Sequence, residues 1–359
     1  MRFLRTLALA LLGGYCAAGP ALAEPAKPLA PETLLVALVR DEEIEAEFGS
    51  TDLWWPQPPE FMGTLDPAPG LKTLVLQTFR RIEDNNADRL IGALSLYESE
   101  TAAAAAFRDL APSDSRAYGS STKGPALGHA SRYYQRREPM GSSLRIQLGP
   151  FILRLSHWTD ARVLSPAALA RLAAPMIKRV ETLWAGRLTT PSLPAETALL
   201  PKEGGPYGPI LGTAVGPPEW GSFSRVEGID VATPTLRDFL VQQLDPPKLL
   251  LRRYALRQAP GQVLDVTIYP FSDTGSAQTF LTLDRDTRSA ERLVLHPIPG
   301  LLSFLEKPSG EVGQHIDLEF SKGRYVVGVS CSNPYGYITD ACDRAVLDMA
   351  GRILTRIKR

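Results

Sequence analysis

IGALSLYESETAAAAAF, residues 91–107, and LDVTIYPFSDTGSAQTF, residues 264–280, decide how this chain is read. Each begins as a run of strand-forming residues, passes through a short acidic or hydroxylated cap, and continues as an alanine-containing helix. Ser99 or Thr101 in the first, and Ser272 or Asp273 in the second, can accept hydrogen bonds from the free amides at a helix start. Tyr97 falls opposite Phe271 and Ala103 opposite Ala277 at one displacement, 271 − 97 and 277 − 103 both being 174.

The same correspondence continues outward. Upstream, TLVLQTF (73–79) answers LLLRRY (249–254), each a strand joined by a polar turn to the next. Downstream, LRIQLGPFILRLSH (144–157) and IDLEFSKGRYVVGVSC (316–331) read as hairpins turning at Gly149 and Gly323. The displacement that pairs those glycines also pairs Leu153 with Val327 and Leu155 with Val329. Each copy closes on an amphipathic helix. Leu169, Leu172, Met176, Val180 and Leu183 share one face of the first, and Val346, Met349, Ile353 and Ile357 one face of the second. Each copy also opens on an apolar segment that ends in a glycine, Leu34 to Gly49 and Leu199 to Gly212, read as helix or turn. A Trp- and Pro-containing irregular stretch follows in both.

Short turns between neighbouring strands imply antiparallel pairing. The expected fold is therefore α+β, in two tandem copies of a module whose mainly antiparallel sheet packs against helices on one face. Residues 24–32 form a leader linker, 33–188 the first module, 189–198 (TPSLPAETA after Thr189) a Pro-rich connection, and 199–359 the second module.

Residues 1–23 read as a signal peptide. Arg2 and Arg5 supply a positive start, Leu7 to Leu12 an apolar core, and Ala21-Leu22-Ala23 the small residues of a cleavage site before Glu24. Cys16 raises a lipoprotein alternative, against which the bulky Tyr15 argues. The apolar run is too short for a permanent span, and no second long one follows. The expected location is exported, periplasmic or secreted, with no transmembrane segment in the mature chain. Lys+Arg and Asp+Glu are both 39 in 359 residues, which disfavours nucleic-acid binding, because phosphate neutralisation needs a basic excess.

Local chemistry is sparse. Nucleophile-elbow, phosphate-loop, HExxH and CxxC signatures are missing from the mature chain, and no catalytic, cofactor or metal set is assigned. His129, His157, His296 and His315 are scattered without metal-ligand spacing. Cys331 and Cys342, separated by turn formers, are expected to form a structural disulfide. Trp54, Trp55 and Trp220 lie in corresponding irregular regions and either face a ligand groove or cap the open ends of the sheets. The run Arg132-Tyr133-Tyr134-Gln135-Arg136-Arg137 can stack on a sugar or base, or form a strand with one wet face.

With VTIYPFSDTGSAQTF following LLLRRY, the chain resembles uncharacterised exported bacterial proteins that carry tandem α+β modules after a signal peptide. The resemblance implies an extracytoplasmic location and carries over no site residues. The reading is an exported cell-envelope binding or accessory protein, more a binder than an enzyme, whose partner is another envelope protein or a small ligand. The alternative is an extracytoplasmic hydrolase with a site assembled from distant residues.

Overall fold

The computed structural model describes residues 29–359 except 50–53, 62–68, 82–87, 119–120, 138–139, 160–162, 189–191, 219, 221–238, 287, 289, 308–314, 334–336 and 358–359. The segment expected to be a signal peptide and most of the leader linker lie outside the described residues.

The first module runs α1 (Pro31–Leu35), α2 (Asp41–Phe48), β1 (Trp54–Pro56), β2 (Glu60–Phe61), β3 (Leu71–Arg81), β4 (Arg89–Tyr97) and α3 (Glu100–Tyr118). It continues with β5 (Ser121–Lys123), β6 (Ala130–Arg137), β7 (Met140–Leu148), β8 (Phe151–Trp158) and α4 (Pro166–Trp184). The second runs β9 (Tyr207–Gly216), β10 (Leu249–Leu256), β11 (Val263–Pro270), α5 (Thr274–Asp286), β12 (Leu293–Leu295), β13 (Ser303–Glu306), β14 (His315–Lys322), β15 (Tyr325–Ser332) and α6 (Asp340–Leu354).

Among the described residues every strand pair is antiparallel, and the two sheets have one topology. The first is ordered β1-β3-β4-β8-β7-β6-β5, with β2 also on β3, and the second β9-β10-β11-β15-β14-β13-β12. The register repeats too. Ile91 faces Ser156 and Leu144 faces Leu155 in the first sheet, while Asp265 faces Ser330 and Leu318 faces Val329 in the second. All four differences, such as 265 − 91 and 329 − 155, equal 174. The displacement read from the sequence is thus a displacement of paired strands.

Helices cover both faces of each sheet, where the sequence suggested one. Along β8, Phe151, Leu153 and Leu155 point to the core under α4, while Ile152 points the other way to Ala103 and Phe107 of α3. Strands buried on both sides lose the clean polar alternation that marks a one-sided sheet. The openings of the two copies differ as well. Asp41, Glu42 and Glu43 at the start of α2, with Gly49 in the left-handed conformation after it, support a helix. The corresponding second stretch holds Gly204, Gly205, Pro206, Gly208 and Pro209, which interrupt a helix, and it yields edge strand β9.

The main apolar cluster crosses from one module to the other. Leu34 and Phe61 share it with Leu211, Ala214, Trp220 and Leu240. Glycine is required at two contacts there: a side chain at Gly212 would collide with the Phe61 ring, and one at Gly216 with the Trp220 ring. A second cluster, between α6 and the far face of the second sheet, belongs to that module alone.

Candidate functional site

Cys331 on β15 and Cys342 on α6 are bonded, with their Cα atoms 5.5 Å apart and both residues fully buried. The bond ties the closing helix to its sheet inside the second cluster. Its counterpart position in the first module is His157 (331 − 157 = 174). His157 is 3 % exposed and sits against Phe48 and Trp54, at ring-centroid distances of 5.8 and 6.2 Å. Burial pushes its imidazole down to about 4, against the opposing pull of Asp88. The ring is therefore neutral at physiological pH.

Trp54, Trp55 and Trp220 are each only 5 % exposed. Trp54 and Trp220 belong to the cluster that joins the modules, and Trp55 stands opposite Arg80 on edge strand β1. The junction between the modules is filled by apolar side chains at these positions.

The unusual chemistry lies on the α3 side of the first sheet. Cross-strand pairing sets Lys123 opposite Arg132, Arg132 opposite Arg145, and Arg145 opposite Arg154. Like charges placed directly opposite are destabilising, and the backbones that carry them lie only ~4.8 Å apart. Two residues along the strands lies the row Tyr134, Ser143, Ser156, Ile91 and Thr78, hydroxyl-bearing at every position but Ile91. The Ser143 and Ser156 hydroxyls are hydrogen-bonded at 2.9 Å. Beyond that row stand Arg80, Arg89 and Trp158, again directly opposite one another. Among the described strand positions of this face, the cations are Arg80, Arg89, Lys123, Arg132, Arg136, Arg145 and Arg154. The one carboxylate, Glu60, is at the far edge.

Helix α3 covers part of this layer. Arg132 lies over the Phe107 ring at 5.4 Å, and Arg145 over Tyr134 at 5.8 Å. Arg145 is buried, and its charge works against the burial that raises the pKa of Tyr97. Toward β3 and β4 the cover ends. Leu74, Thr78, Ile91 and Ser95 are half-buried there, with Leu76 and Ala93 buried between them, whereas Val75, Phe79, Leu90 and Leu94 on the opposite face are no more than 1 % exposed. Arg80, Arg89, Arg145 and Arg154 also have interactions within the fold.

The equivalent face of the second module carries carboxylates at several of these positions and is buried at Val263 and Tyr269, with Arg253, Asp265 and Thr267 half-buried between them. Glu319 takes the place of Arg145 (319 − 145 = 174) and lies 3.2 Å from Arg288. Asp284, Glu306 and Asp317 surround the same guanidinium at 2.9, 2.5 and 3.8 Å. Burial alone would favour loss of the Arg288 proton; Asp284, Asp317 and Glu306 outweigh it and raise its pKa. Leu249, Ala255, Val263 and Tyr269 on this face are buried in the cluster shared with the first module. Among the described residues, no group of three or more His, Cys, Asp or Glu is placed to hold a metal.

The pattern was legible only in pieces. The Arg132–Arg137 run announced one wet strand, but its partners Arg145 and Arg154 are single residues inside apolar strands.

No family model matches the chain. A stretch is similar to phosphoglucosamine mutase of Bdellovibrio bacteriovorus, 35% identical over 115 residues, which is 31% of this chain and 24% of that protein. The chain thus spans about a quarter of that relative's length. Among solved structures, the extracellular domain of PknH from Mycobacterium tuberculosis is similar over 44% of this chain and 98% of that one, at 14% identity and a TM-score of 0.33.

Proposed function

We propose that the protein is an exported cell-envelope binding or accessory protein, non-enzymatic, built from modules at 33–188 and 199–359. Its binding surface is the open β3–β4 part of the first sheet. The observation that carries this reading is the difference in cover at equivalent positions of β4 and β11: Arg89 is exposed and Ser95 half-buried, while their counterparts Val263 and Tyr269 are buried against the junction. Sheet positions that one copy buries and the other leaves accessible are a place for a ligand or partner. The buried Cys331–Cys342 bond supports export, because such bonds persist in oxidising compartments. Among the described residues, no helix is long and apolar enough to cross a membrane.

Native mass spectrometry of the full chain, purified from the exported fraction of its own cells, tests the reading. A reproducible added mass, together with the loss of two hydrogens for the disulfide, is the expected result. Turnover of an envelope substrate by the bare protein would replace this reading with the hydrolase.

A further inference from the structure

The geometry points to an acidic polysaccharide, a sugar chain bearing carboxylate or phosphate groups, as the ligand of the β3–β4–β8 face. This inference rests on the binding reading above and specifies the chemistry of the same surface.

Three features of the face converge on that class. The first is charge. Arg154 stands on one side of the accessible floor and Arg80 with Arg89 on the other, four residues along the strands, or ~13 Å at the usual rise. A guanidinium fork binds carboxylate and phosphate oxygens in pairs, so a ligand with anionic groups spaced along a chain meets both sides together. The second is the floor between them. The half-buried Thr78 lies there, and the half-buried Ser95 lies one row beyond Arg154; both carry hydroxyls that exchange hydrogen bonds with sugar hydroxyls, while Ser156 is buried and bonded to Ser143. The third is Trp158, half-buried and directly opposite Arg89, whose ring offers an apolar face of the kind that lies against a sugar ring. An acidic protein surface satisfies the charge, but its contact core favours packed apolar residues over a hydroxyl-bearing floor. Arg145 and Arg132 continue the same charge beneath α3 toward Lys123.

The test is hydrogen–deuterium exchange of the full-length exported protein with three polymers at equal charge or sugar concentration: polygalacturonate, neutral dextran and polyglutamate. Polygalacturonate is expected to protect peptides within 71–97 and 151–158, while dextran protects neither. Arg89→Gln and Arg154→Gln are each expected to weaken polygalacturonate binding by about tenfold, the effect of one charge-assisted contact. Arg344→Gln, on the exposed side of α6, leaves binding unchanged. Because Arg89 is exposed, its substitution leaves the fold intact and remains informative if Arg154→Gln is poorly folded. Protection elsewhere, no protection by polygalacturonate, or equal protection by polyglutamate overturns the inference. The envelope-binding reading survives any of these if the mass measurement still finds a retained ligand or partner.

Discussion

Arg145 and Glu319 occupy one position in two sheets of identical order, yet they carry opposite charges in opposite surroundings. In the first module the position stands in a line of cations, Arg132, Arg145 and Arg154. In the second it belongs to a ring of carboxylates around Arg288. The hydrophobic pattern that specifies topology is shared, since Leu144 and Leu155 answer Leu318 and Val329. The comparison teaches that the fold is maintained by one face of each strand, which leaves the other free to diverge in charge and cover. The closing helices differ in the same way: a disulfide holds α6, where apolar packing with neutral His157 nearby serves the first module.

The largest effect is expected at the charged centre of the second module. Arg288→Met leaves Asp284, Glu306, Asp317 and Glu319 around a neutral side chain, and breaking a buried ion pair by removing one partner costs about 3–5 kcal/mol. Arg145→Met in the first module is expected to cost less than half as much, because it also relieves the like charges of Arg132 and Arg154. Urea midpoints of the two variants check this, and equal losses would mean that the sign difference has no energetic weight.

Replacing Cys331 and Cys342 together by Ala is expected to remove about 3 kcal/mol, the loop-closure contribution for a short loop. The loss should appear as earlier exchange in α6 with α4 unchanged. Parallel loosening of both helices would show that the modules unfold as one unit.

The titration of His157 reports the first module selectively, since its counterpart Cys331 is disulfide-bonded. Its folded pKa, about 4, lies below the ordinary value of 6.5, so the unfolded chain binds the proton first as pH falls. Stability attributable to this group is full above about pH 6.5. It is lost as pH falls toward 4, by on the order of 3 kcal/mol in all. His157→Gln should flatten that part of the stability–pH curve; an unchanged slope would assign the loss to other groups.

The smallest effect is at the helix caps. The Ser99 hydroxyl accepts from the Ala102 amide at 3.1 Å, and Ser99→Ala should cost about 1 kcal/mol in thermal unfolding. Asp273 makes the equivalent bond to Ser276 at 2.9 Å. Its carboxyl is held below the usual range first by that backbone contact, so Asp273→Asn should act in the same direction, visible as a shift in the acid limb of unfolding.

By itself, the sequence determined the tandem α+β order, the displacement that relates the copies, the hairpin turns at Gly149 and Gly323, and the residues of the disulfide. These are local or periodic properties: strand alternation, helical spacing and turn chemistry act over a few residues, and a duplication repeats them. Tertiary structure alone decided what each face meets. Trp54, Trp55 and Trp220 read as cap in preference to groove, but that each is only 5 % exposed was set by the fold, because exposure depends on what packs above a residue. Arg132, Arg145 and Arg154 became one row only when their strands paired, and Asp284, Glu306, Asp317 and Glu319 met Arg288 only when α5 settled on its sheet. Side chains far apart in the chain share a field only after the backbone brings them within a few ångströms, and no local pattern records that distance.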